Sequence, residues 1–141
     1  MVYRMGLLLA AIFAALGLFH LYWAVGGRWG SVATVPSAGE GRIFHPSPLG
    51  TVLVALALFV AMLTILGQLD VWGAALPKWI FRWGAWGISF IFLLRAIGEF
   101  RFVGFFKRIR DTPFAYWDTW LFSPLCLLIA IIACVVAYDV D

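Results

Sequence analysis

The chain has 141 residues and a net charge of +3, with 65% hydrophobic and only 12% charged residues; its mean hydropathy is +1.01. A soluble domain carries about a quarter charged residues, so this composition excludes a soluble globular protein and leaves a polytopic membrane protein. Nucleic acid is excluded as a partner on the same ground, because the few cations cluster beside apolar runs and speak to topology and lipid head groups.

The first apolar run, Met5–Gly26, has 22 residues and no charge. A secretory signal has a core of about 7–15 apolar residues, so this run reads as a retained first transmembrane helix. Its small residues Ala10, Ala11, Ala14, Ala15 and Gly17 suit close helix–helix contact. His20 lies about 9 Å deep, counted from the end of the run at 1.5 Å per residue, and shares a face with Trp23 three residues on. Gly26, Gly27 and Gly30 end the helix and turn the chain.

A long loop, Gly27–Pro48, carries Arg28, Arg42 and His45. The second span is Leu49–Leu69, entered through Ser47-Pro48, a serine cap followed by a proline in the first helical position. A short loop, Asp70–Lys78, leads to the third span, Trp79–Phe100. This span contains Arg95 and Glu99, four apart and therefore neighbours on one helix face. An ionisable residue inside a membrane span is costly and marks a site with a partner, which makes the pair the leading functional candidate. The bland account is a structural ion pair, with Arg95 snorkelling to the head groups and Glu99 as its counter-ion.

The second long loop, Arg101–Asp118, is aromatic and basic, from Phe102, Phe105 and Phe106 to Lys107, Arg108 and Arg110. Such a stretch lies in the head-group layer, either as an anchor or as a lipid contact. The fourth span is Thr119–Tyr138. Ser123-Pro124 falls inside it, so either the helix starts there or it is kinked there; a start is the simpler reading. Cys126 and Cys134, eight apart on this span, are out of disulfide reach of each other.

The expected fold is therefore an all-α four-helix transmembrane bundle in one domain covering residues 1–141, without strands. Matching glycine-terminated ends (Ala24-Val25-Gly26 and Ala96-Ile97-Gly98) and Ser-Pro-Leu starts fit two similar hairpins, or only the general rule that small residues end helices and Ser-Pro starts them. Near the span ends, six Lys and Arg lie on the long-loop side and three on the other (Arg4, Lys78, Arg82). The positive-inside rule then puts the long loops in the cytoplasm and the termini outside.

The long-loop side gathers the candidate ligand-binding residues: His20, Trp23, Arg28, Arg95, Glu99, Arg101 and Asp118. They suggest a polar cavity open to the cytoplasmic leaflet, floored by His20 and Arg95. Two histidines and no Cys/His cluster leave a dedicated metal or haem site without ligands, so no cofactor is expected. Catalytic residues are not identifiable.

Several stretches resemble small bacterial four-span membrane proteins of the family designated domain of unknown function 3995. They are His20-Leu21-Tyr22-Trp23-Ala24-Val25-Gly26-Gly27, Val35-Pro36, Leu94-Arg95-Ala96-Ile97-Gly98-Glu99-Phe100, Val103-Gly104-Phe105-Phe106-Lys107, Asp118 and Ser123-Pro124-Leu125. The resemblance implies a four-helix membrane fold in a bacterial inner membrane and no particular activity. It also implies that His20, Trp23, Arg95, Glu99 and Asp118 belong to one shared feature.

Three functions compete. The first is binding or transport of a small amphipathic or anionic lipid-like ligand, gripped by Arg95, Arg28 and Arg101 and favouring a dimer. The second is a membrane enzyme of isomerase or hydrolase type, with His20 and Glu99 as acid and base and Arg95 stabilising developing charge. The third is an accessory or assembly subunit of a larger membrane complex, which needs no catalytic residue.

Overall fold

The computed structural model describes residues 1–35, 37–38, 41–42, 46–100 and 103–139. Among these described residues, four helices are long and apolar enough to cross a membrane. The first is α1 (Val2–Ala24), followed in the first long loop by a single turn, α2 (Ser31–Thr34). That loop also holds a two-residue antiparallel pairing, β1 (Ser37–Ala38) with β2 (Gly41–Arg42), a small addition to the strand-free bundle expected. The bundle continues with α3 (Pro48–Gln68) and α4 (Lys78–Ile97). Then α5 (Pro113–Trp117), a π turn (Asp118–Phe122) and α6 (Ser123–Asp139) run on as one helical rod of 27 residues.

The helices form two hairpins, α1 with α3 and α4 with α6, closed into a ring by α3 against α4 and α1 against α6. The hairpin interfaces are built from small residues, which let backbones approach where lipid offers no hydrophobic drive. On α1 the inward stripe is Gly6, Leu9, Ala10, Phe13 and Gly17, at helical spacing. A methyl group at Gly17 would lie 2.9 Å from the Phe59 ring, and one at Gly6 would lie 2.7 Å from Leu69. Ala10 and Gly17 thus serve contact within the chain, whereas Ala11 and Ala15 face outward. Ala85 and Ile88 of α4 join Ile129, Ala133 and Val136 of α6 in the same core. Ser89 adds a hydrogen bond from its hydroxyl to the Ala130 carbonyl at 2.7 Å.

Only 22–39% of each spanning segment is buried inside the protein. The outward faces carry Leu53, Leu56, Val60, Phe90, Ile91, Leu128 and Ile131, all exposed. So large an apolar surface is compatible with a bilayer and not with water.

The start of α3 follows the local rule: the Ser47 side chain accepts a hydrogen bond from the Gly50 amide at 3.0 Å, with Pro48 in the first turn. The same dipeptide in the second hairpin does not begin a helix. Ser123-Pro124 lies mid-rod, and the widened π turn immediately precedes it. Pro124 lacks the N–H that would bond the Trp120 carbonyl and its ring crowds that turn, which the π turn relieves. The fourth span therefore starts at Pro113 rather than at 119 or 123. The third ends at Ile97 rather than at Phe100, because Gly98 takes φ +81° and leaves the helix.

Candidate functional site

Both long loops lie at one end of the bundle, where α2 packs on α5. Beyond Gly98 the chain folds straight back onto the end of α4. The Phe105 amide donates to the Ala96 carbonyl at 2.8 Å, satisfying one of the orphan acceptors that every helix C-terminus leaves. This return runs backbone against backbone. A methyl group at Gly98 would meet the Val103 carbonyl oxygen at 1.8 Å, and one at Gly104 would meet the Ile97 carbonyl oxygen at 2.3 Å. Both glycines also have positive φ, +81° and +88°, a region that side chains strain to occupy.

The returned loop delivers two groups to Asp118, the first residue of the π turn, which has no exposed surface. Its Oδ2 accepts from the Gly104 amide at 2.7 Å and from Lys107 Nζ at 3.1 Å. Its Oδ1 accepts from Arg95 Nη2 at 2.9 Å. Lys107 is equally enclosed, and its ammonium also donates to the Gly104 carbonyl at 3.0 Å and to Thr119 Oγ1 at 2.6 Å. Three acceptors match the three donors of an ammonium. The cluster thus holds two cations against one carboxylate. One part of it is incomplete: Arg95 Nη1 is buried and has no hydrogen-bond partner among the described residues. The same is true of Ser123 Oγ, whose backbone amide closes the π turn onto the Asp118 carbonyl. The π turn sets the angle at which Asp118 leaves the rod, since one extra residue rotates what precedes it by about 100°.

The seven candidate residues separate into groups. Arg95 and Asp118 meet directly. Glu99 does not continue the helix of Arg95, so the i,i+4 relation expected of the pair is lost; the carboxylate that pairs with Arg95 comes from Asp118. Glu99 is exposed, lining an open groove of about 560 Å³ with Phe100, Arg108 and Ile109.

His20 and Trp23 meet on α1, with ring centroids 5.2 Å apart in an edge-on arrangement. The Nδ1 of His20 lies 2.7 Å from the Leu16 carbonyl, which can only accept, so this nitrogen carries the proton. The Trp23 indole donates to the Trp29 carbonyl at 2.8 Å and ties the following loop to the helix. Arg28 is exposed, and Arg101 lies outside the described residues. A second open groove, of about 460 Å³, is lined by Ala15, Leu18, Phe19, Tyr22 and Trp29. Neither groove is lined by both His20 and Arg95.

Sequence reasoning missed Lys107, Gly104 and Thr119. Lys107 read as a head-group cation because the residues around it are aromatic and basic. The available signal was the pair Gly98 and Gly104, two turn-forming glycines that bracket a sharp return. Among the described residues no cluster of three or more His, Cys, Asp and Glu is placed to hold a metal ion.

The family model described as "Protein of unknown function (DUF3995)" matches residues 13–133, so the chain belongs to this family. No curated protein matches the chain, and no solved structure matches it.

Proposed function

We propose that this family member is a multi-pass protein of the bacterial cytoplasmic membrane that binds the anionic head group of a lipid-like molecule beside Arg95. The observation that carries the reading is the charge of the Asp118 cluster: among the described residues, two cations, one carboxylate and a buried guanidinium nitrogen without a partner. A buried donor left unmade costs about 1–3 kcal/mol, and an oxygen of a carboxylate or phosphate would satisfy both that donor and the excess charge. The side chain of Arg95 is 32% exposed, so part of it faces the interface while its unpartnered nitrogen lies inward, and Lys107 and Asp118 are closed off. Arg95 is then the contact residue, and Asp118 and Lys107 position it.

Native mass spectrometry of the protein extracted in mild detergent tests this. An anionic lipid or amphiphile retained by the natural protein and lost in Arg95→Gln is the expected result. Retention unchanged by that substitution, or no bound anion at all, would sink the reading.

For the two candidates of the catalytic reading, the Nδ1 of His20 is bonded to its own helix, and Glu99 is exposed on the loop.

A further inference from the structure

The groove on α1 is a built feature. Its floor is Ala15, on the outward stripe of the helix, and its walls are Leu18, Phe19, Tyr22 and Trp29. Trp29 belongs to the loop, yet three contacts fold it back along the helix. Its ring stacks on Phe19, centroids 6.0 Å apart and 19° from parallel. Its amide donates to the Tyr22 hydroxyl at 3.3 Å, and its carbonyl accepts from the Trp23 indole. Gly27 permits the arrangement, because a methyl group there would fall 2.4 Å from the Tyr22 ring. The result is a shallow apolar groove on the outer face of α1, from Ala15 to Trp29. Arg28, the sequence neighbour of the groove-lining Trp29, is an exposed cation with no ion-pair partner among the described residues.

An apolar groove within the hydrocarbon layer, topped by a cation at head-group level, is complementary to one kind of molecule in its surroundings. We infer that this groove seats one acyl chain of an anionic phospholipid, with its phosphate at Arg28. The chain lies along Ala15 and Leu18 against the Phe19–Trp29 wall, where rigid aromatic faces offer contact area at little entropic cost. The phosphate meets a guanidinium, whose paired N–H groups match its oxygens. This site is independent of the head-group site at Arg95.

Photolabelling tests it. The natural protein is reconstituted into phosphatidylcholine vesicles containing a small share of phosphatidylglycerol with a diazirine on its acyl chain. After irradiation, the label is mapped by peptide mass. Label concentrated on residues 15–29 is expected. Ala15→Phe, an outward position where added bulk disturbs no helix contact, fills the floor and should cut that label several-fold. Arg28→Gln should lower it to the level given by diazirine-bearing phosphatidylcholine. Arg95→Gln should leave it unchanged, which separates this site from the one at Arg95. Label spread evenly over the four spans, or insensitive to Ala15→Phe, overturns the inference. So does a cross-link between two copies of the chain through residues 15–29 in place of lipid.

Discussion

A carboxylate with no exposed surface has lost its hydration and needs partners to compensate. Asp118 has three, the Gly104 amide, Lys107 and Arg95, and they are not equivalent. Lys107 is enclosed and fully bonded, while Arg95 reaches outward. Removing the charge of Asp118 strands two cations, one of them fully enclosed, for which a cost of roughly 3–5 kcal/mol is expected. Removing Arg95 leaves Asp118 with Lys107 and the amide, for a loss of roughly 1–2 kcal/mol, that of one charged hydrogen bond. Thermal unfolding in detergent should therefore rank Asp118→Asn well below Arg95→Gln in stability. Equal loss, or the reverse order, would mean that the cluster is not organised around Asp118. The sequence showed Arg95, Glu99 and Asp118 as charges at one membrane face but did not pair Arg95 with Asp118, the carboxylate it bonds. The pairing of Arg95 with Glu99 came from helical spacing, which holds only while the helix lasts, and Gly98 ends it.

At the scale of elements, the loop from Gly98 to Lys107 acts as a strap folded onto the end of α4, and its two glycines make that fold possible. Replacing either with alanine sets a methyl group inside a carbonyl and imposes a strained φ, each a recognised source of large destabilisation. Gly87 is the internal control: it lies within α4, with nothing within 4 Å of an added methyl group. Gly98→Ala and Gly104→Ala should each cost roughly 2–4 kcal/mol or prevent accumulation. Gly87→Ala should be neutral or stabilise by up to about 1 kcal/mol, as alanine exceeds glycine in helix propensity. Similar melting temperatures for all three would refute the strap.

The spans themselves were legible because long uncharged runs have few alternatives, and their observed limits differ from the expected ones by only a few residues at most ends. The strap was not legible, since it depends on a return that no periodicity encodes. The π turn was hidden for a related reason. The Ser-Pro rule that correctly starts α3 is local, and in the fourth span the packing of α5 against α2 extends the helix back past it.

For the molecule as a whole, the two hairpins place both long loops together, so a single orientation decides the compartment of the Arg95 site, the Glu99 groove and the Trp29 groove. Cations near span ends favour the long-loop side by six to three. Lys107 is enclosed and paired with Asp118, so it counts least toward retention; without it the ratio is five to three. The positive-inside rule counts Lys and Arg rather than net charge, so Asp139 and Asp141 on the other side do not offset the excess. The free thiols Cys126 and Cys134 sit in the fourth span and must first be replaced by serine. A single cysteine at Ser37 should then be protected from an impermeant thiol reagent in intact cells and become reactive on lysis, while one added at the C-terminus should react in both. Labelling of Ser37→Cys in intact cells would invert the protein and place every group at that end, including the proposed head-group site, in the outer leaflet.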